Sequence, residues 1–327
     1  MAVSRRRFLC SAATAAAALT VLQGKSANAY PERPIRLVVP FPPGGVNDAV
    51  ARPWAEAMKT PLGTVVIENM GGAGGSLGAA TVARAEPDGY TILLGNTGTQ
   101  VLHPAAQRHP SYDPIESFDP IAILGLASVG ITVHRSVPAQ NLQEFINYAK
   151  AKGAKLSYGS PGLGTLSYVT TELFKSLAGT PDIVHVPYRG VGPAMTDLIS
   201  GRIEMMMPNV TGSVIALHRA EKIKLLAVTS HTRLGAVSEI PTAVEAGLPG
   251  MISQNFIGLF APAHTPKPAL DRLSQATHVA MNDLRRIYVA AGFEPNSESN
   301  PDTARQFVKA QVAQWTPVIK SIGLVLD

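Results

Sequence analysis

Along residues 30–327, short apolar runs alternate with stretches whose apolar residues recur every three or four positions. Runs at 35–39, 64–68, 90–94, 121–124, 130–134, 156–158, 183–186, 203–207, 225–229 and 258–261 have the length and composition of buried strands. Between them lie amphipathic segments. Residues 141–152 place Leu142, Phe145, Ile146 and Ala149 on one face. Residues 271–291 place Leu273, Ala276, Ala280, Leu284 and Ile287 there and stop before Gly292. A further helix over 302–320 contains Pro317, which removes a backbone donor and should kink or end it. This alternation predicts an α/β protein with largely parallel sheets. No internal repeat or low-complexity tract interrupts it.

The first 29 residues follow a different pattern. A basic start, an apolar stretch from Phe8 to Leu22 and the small-residue site Ala27-Asn28-Ala29 read as an export signal. The apolar stretch is shorter than the roughly 20 residues that a membrane span needs. Ser4-Arg5-Arg6-Arg7-Phe8-Leu9 fits the twin-arginine type, with Cys10 where lysine is more usual; an ordinary Sec signal is the alternative. The leader also explains the charge. The chain has 28 Lys+Arg against 23 Asp+Glu, and Arg5, Arg6, Arg7 and Lys25 precede any acid. Without them the balance is 24 against 23, so the pI of 9.3 belongs largely to the leader. Nothing remains to suggest a nucleic-acid surface. Cys10 is the sole cysteine, so the mature chain has neither disulfides nor thiol chemistry. Removing 29 of 327 residues leaves 298, enough for two domains.

Enzyme chemistry is hard to find. The eight histidines are scattered without metal-ligand spacing, and no metal site is expected. His185 reads as a strand residue. Gly74-Gly75-Ser76-Leu77-Gly78 matches the hydrolase G-x-S-x-G pattern, but no strand leads straight into it. The glycine-rich stretch 71–78 also resembles a dinucleotide-binding turn, giving an exported nucleotide-cofactor oxidoreductase as the alternative function. Its spacing, Gly72-x-Gly74-x-x-x-Gly78, departs from G-x-G-x-x-G. A second unusual stretch is "PFPPGGVNDAVAR", residues 40–52, between an apolar run and the start of a helix. It is either a tight turn or a cradle in which backbone N–H groups at a helix start face an anion.

The segments "YPERPIRLVVPFPPGGVNDAVAR", "ENMGGAGGSLGAATVARAEPDGYTILLGNTGT", "KLSYGSPGLGT", "VHVPYRGVGPAMTDLISGRIE" and "LLAVTS…EIPTAVEAGLPG" occur in this order. Together they resemble the Bug family of periplasmic solute-binding receptors of tripartite tricarboxylate transporters. The resemblance covers essentially the whole mature chain. It implies a type II periplasmic-binding-protein fold: two α/β lobes joined by crossing strands, with a ligand cleft between them. Domain 1 would comprise 30–124 plus 258–327 and domain 2 would comprise 125–257, with crossings near 123–131 and 255–259. It further implies a non-catalytic, monomeric receptor without cofactor. Such a receptor would hand a small organic anion to membrane transporter subunits: a di- or tricarboxylate, an acidic amino acid or an aromatic acid.

On that reading Pro43, Gly44, Gly45, Asn47 and Asp48 form one anion cradle. Gly159, Ser160, Gly162, Gly164 and Thr165 form the matching one ahead of a helix at 166–177. Asp48 would act through water or a ligand amine, or cap the helix, as Asn47 also can. Thr97, Thr99, Tyr188, Arg189 and Asn209 are the further cleft candidates. Tyr168 and Pro208 depart from the family pattern, which commonly has histidine and aspartate there. The loop at 71–75 is expected to let a helix pack closely.

Overall fold

The structure, a computed structural model, describes residues 30–43 and 46–326. The expected export signal and the cradle residues Gly44 and Gly45 lie outside the described residues. In chain order the strands are β1 (Ile35–Val39), β2 (Val65–Asn69), β3 (Thr91–Asn96), β4 (Phe118–Ser128), β5 (Gly130–His134), β6 (Ser157–Ser160), β7 (Val184–Pro187), β8 (Met205–Met206), β9 (Ile223–Val228), β10 (Gln254–Pro262) and β11 (Glu294–Pro295). The helices are α1 (Val46–Ala57), α2 (Lys59–Leu62), α3 (Ser76–Ala83), α4 (His103–Ala106), α5 (Leu142–Lys152), α6 (Leu166–Ala178), α7 (Val191–Ser200), α8 (Gly212–Arg219), α9 (Lys267–Ala290) and α10 (Pro301–Ser321).

The strands build two sheets, ordered β11-β4-β10-β3-β1-β2 and β7-β6-β8-β5-β9. Both are mixed, which corrects the expectation of largely parallel sheets. β1 runs parallel to β2 and β3, and β6 runs parallel to β7 and β8. β10 opposes β3 and β4, β11 opposes β4, and β5 opposes β8 and β9. The reason lies in the crossings. β4 leaves the first sheet and continues through Val129 into β5, and the chain re-enters at β10 running against β4. Thr229 ties the two passages together. Its N–H donates to Val129 O at 2.9 Å, and its hydroxyl is bonded to Val129 O and Ser253 O at 2.9 and 2.6 Å.

Side-chain alternation along each strand fills both faces of a sheet. In the first sheet Leu37, Ile92 and Leu259 pack with Trp54 of α1 and Tyr288 of α9, all fully buried. Val38, Leu93 and Phe260 pack on the other face with Trp315 of α10. In the second sheet Ile131, Val133 and Tyr158 meet Phe145 of α5 and Phe174 of α6. Met206 meets Ala194 and Leu198 of α7 on the reverse face. Each such buried side chain contributes about 1.5–3 kcal/mol.

Helix ends follow local rules. Asn141 caps α5, its side chain accepting from Glu144 N at 2.9 Å, worth about 1 kcal/mol. Pro317 does not end α10, which continues to Ser321. Pro317 and Ala313, whose carbonyl the proline leaves unbonded, are both exposed, so water can satisfy that carbonyl. Buried Trp315 and Ile319 hold the last turns down. Among the described residues no helix is long and apolar enough to cross a membrane.

Candidate functional site

The connection from β1 to α1 carries the first group of candidates. Pro43 is exposed, and α1 begins at Val46. Asn47 and Asp48 therefore stand inside the first turn, 6% and 5% exposed, rather than at the cap. The Asp48 carboxylate accepts from Arg52 Nε at 2.7 Å, Arg52 Nη2 at 3.1 Å and Asn69 Nδ2 at 3.2 Å. Asn69 Nδ2 also donates to Phe41 O at 3.0 Å. Asp48 thus ties the helix start, the end of β2 and the proline loop into one unit. An acid in the first turn also suits the positive end of the helix dipole.

The glycine-rich loop packs under this unit. A Cβ on Gly78, inside α3, would lie 2.9 Å from Met70 O and 3.0 Å from Pro40 Cβ, so the missing side chain lets α3 approach the end of β1. One on Gly74 (φ +63°) would fall 2.0 Å from the His103 ring. The protein's own atoms occupy the space beside these glycines, and nothing supports the oxidoreductase alternative. Burial pushes the His103 imidazole below the usual histidine range.

Thr97 and Thr99, two of the cleft candidates, are fully buried. Thr97 Oγ1 accepts from Phe256 N at 2.9 Å. Thr99 Oγ1 accepts from Asn96 N at 3.0 Å and Thr99 N donates to Asn96 Oδ1 at 3.0 Å. These groups close the turn after β3, and Thr97 fastens it to β10.

The second group forms around the end of β6. Gly162 and Gly164 have φ of +130° and +74°, conformations that favour glycine. Gly159 is packed so tightly that a Cβ would lie 2.4 Å from Ile203 Cδ1 and 3.1 Å from the Tyr188 ring. Thr165 caps α6 and donates its hydroxyl proton to Gly162 O at 2.7 Å. Ser160, fully buried, has its Oγ 2.8 Å from His185 Nε2 and 3.2 Å from the Gly162 N–H that it accepts. Tyr188 joins this group through its N–H to Ser160 O at 2.9 Å. Its hydroxyl donates to Asp197 at 2.8 Å, and burial, then Asp197, pushes the phenol up to about 12.

The remaining candidates lie apart. Arg189 is exposed at the end of β7. Asn209 pairs through its backbone with Val129 at the crossing. A cavity of about 640 Å³ lies away from both groups, between α8 and the end of α9.

Three participants were not singled out as site residues. Arg52 was legible, because a base four residues after Asp48 on a helix falls beside it. Asn69 carries no local signal. His185 sits on β7 as expected, but nothing in the sequence joins it to Ser160, 25 residues away. The Ser160 hydroxyl beside His185 is buried, and among the described residues no carboxylate is hydrogen-bonded to the ring's other nitrogen. No group of side chains suited to a metal ion occurs among the described residues either.

Two mixed sheets joined by crossing strands, with a glycine-bearing loop ahead of a helix in each, define a periplasmic solute-binding protein. The chain belongs to the tripartite tricarboxylate transporter family receptors, whose family profile matches residues 50–324. The periplasmic binding protein BugD is 36% identical, with a TM-score of 0.78 over 90% of this chain and 99% of that one. MatC from Rhodopseudomonas palustris with bound malate is 34% identical, with a TM-score of 0.77 over 89% and 100% of the two chains. R. palustris Rpa4515 with adipate is 31% identical, with a TM-score of 0.80 over 90% and 99%. Family and neighbours together make this chain a solute receptor.

Proposed function

We propose that this receptor is exported by its twin-arginine leader and closes, without catalysis, over a small dicarboxylate that membrane transporter subunits then take up. Residues 30–124 plus 258–327 form one lobe and 125–257 the other. The connection from β1 into the first turn of α1 and the loop at 159–165 each offer backbone N–H groups at a helix start. Two such cradles suit a ligand with a carboxylate at each end, as malate and adipate have in the relatives. The observation that carries this reading is the second loop. Gly162 at positive φ has space beside it, the nearest atom to a Cβ there being Tyr188 O at 3.7 Å, and Thr165 caps α6 just beyond. A helix end supplies only about 0.3–1 kcal/mol, so direct and water-mediated hydrogen bonds carry the rest.

A thermal-shift series over malate, adipate, citrate, glutamate and benzoate tests this. A true ligand at 100 times its Kd stabilises the protein by about 2.7 kcal/mol. Gly45→Val places a side chain where the anion must approach, and weakens that ligand by at least about tenfold. Stabilisation by none of these acids, or unchanged binding in Gly45→Val, defeats the cradle.

A further inference from the structure

Behind the 159–165 loop stands a stack of side chains. The His185 ring lies 4.8 Å from Tyr158 on β6, stacked, and 4.9 Å from Tyr168 on α6, tilted. Tyr158 donates its hydroxyl to Glu172 Oε1 at 2.5 Å, and Lys175 Nζ donates to the same oxygen at 2.9 Å. The charged and titratable groups facing the imidazole are therefore Glu172, Lys175, Tyr158 and Tyr168. Asp197 on α7 is engaged by Tyr188 and Arg202.

The proton count around Ser160 gives this stack a consequence. A serine hydroxyl has one proton and two lone pairs. The Gly162 N–H takes one lone pair, and Ser160 Oγ also lies 2.8 Å from His185 Nε2 and 3.3 Å from Gly162 O. When Nε2 is bare, Ser160 gives its proton to the ring. When Nε2 carries a proton, the ring donates to Ser160, whose own proton turns to Gly162 O and joins the one from Thr165. A doubly protonated ring fixes this second arrangement and puts a positive charge behind the loop. Both backbone groups of Gly162 thus respond to His185.

We propose that His185 is a positioning residue that makes the 159–165 loop proton-sensitive: protonation of its ring and binding of an anion on the loop favour each other. The inference rests on the receptor reading above and adds to it a means of regulation. Linkage is reciprocal, so a bound anion must also draw a proton onto the ring. In the free protein, burial, opposed by Glu172 and reinforced by Lys175, holds the imidazole below the usual histidine range. Affinity therefore rises as pH falls through the range in which the ring takes up its proton.

NMR on the ligand-free protein separates this inference from the receptor reading. The Gly162 amide shift should follow the His185 ring with the same midpoint. Ser160→Ala should leave the ring titrating and silence the amide; His185→Gln, which keeps a hydrogen-bonding group, should abolish the amide response. An amide that ignores the ring, or titrates alike in His185→Gln, overturns the proposal whether or not any ligand binds. The second arm measures adipate affinity from about pH 7.5 to about pH 5. Adipate's own titration is common to both proteins, so the ratio of parent to His185→Gln isolates the ring. That ratio should grow about fivefold or more; superimposable pH profiles overturn the proposal.

Discussion

With 5% of its surface exposed, Asp48 must find partners within the protein, because an unpaired buried carboxylate is costly. Arg52 supplies two hydrogen bonds and Asn69 a third, yet the Arg52 side chain is itself 57% exposed. The two halves of the pair are therefore unequal. Asp48→Asn turns an acceptor into a donor facing the N–H groups of Arg52 or Asn69, and should cost about 1–3 kcal/mol in urea unfolding. Arg52→Ala uncovers the carboxylate to water and should cost under about 1 kcal/mol. The opposite order would mean that the charge on Asp48 depends on Arg52 alone. Asp48→Asn should also weaken ligand binding, since Asn69, which holds the Phe41 carbonyl, would lose its carboxylate partner. The Asp48–Arg52 spacing shows in the sequence because both residues share a helix. Asn69 does not, because it reaches Asp48 only once β1 and β2 have paired.

The same division between local and distant causes holds for the elements. β1 and β5 occur where their apolar runs stand, with both ends as expected. β4 has eleven residues but was legible only at 121–124, because Pro120 and Gly125 interrupt its run. Strand direction was misjudged because alternation records which residues are buried and not which way the chain returns from a second sheet. Among site loops, the runs at 42–48 and 159–165 announced themselves through glycine and proline. Thr97 looks like any polar loop residue until β10 bonds to it, and Thr99 until Asn96 and Tyr112 close around it. Helix α10 allows a direct test. Pro317 leaves the Ala313 carbonyl without a helical partner, and both positions are exposed. Pro317→Ala restores the bond without disturbing Trp315 or Ile319, and should stabilise the protein by up to about 3 kcal/mol. A higher urea midpoint at unchanged m-value is the expected result. No gain would mean that the proline is already matched to a bend in the helix.

At the scale of the molecule, the crossing strands separate two regions. The glycine-bearing loops follow β1 and β6, toward one edge of each sheet, while β11 and β9 form the opposite edges. The cavity of about 640 Å³ lies on that other side. Its walls come from α8 and Leu234, on the side of the second sheet, and from Val289 and Phe293, on the side of the first. Beside it the two walls touch through backbone: a Cβ on Gly292 would lie 2.9 Å from both Val210 O and Thr211 Cα. If β4–β5 and the return into β10 act as the hinge, drawing the glycine loops together must part these walls. Filling the cavity then favours the closed form. Gly212→Phe suits this test, because a Cβ there meets only Ala290 O, at 3.5 Å, and φ is not positive. Thr211 remains to cap α8. A bias on the order of 1 kcal/mol corresponds to about fivefold tighter adipate binding. The ligand-free variant should also show a smaller radius of gyration by small-angle scattering, approaching that of the saturated parent. Unchanged affinity and radius would place the hinge elsewhere, since walls that do not part on closure cannot be wedged.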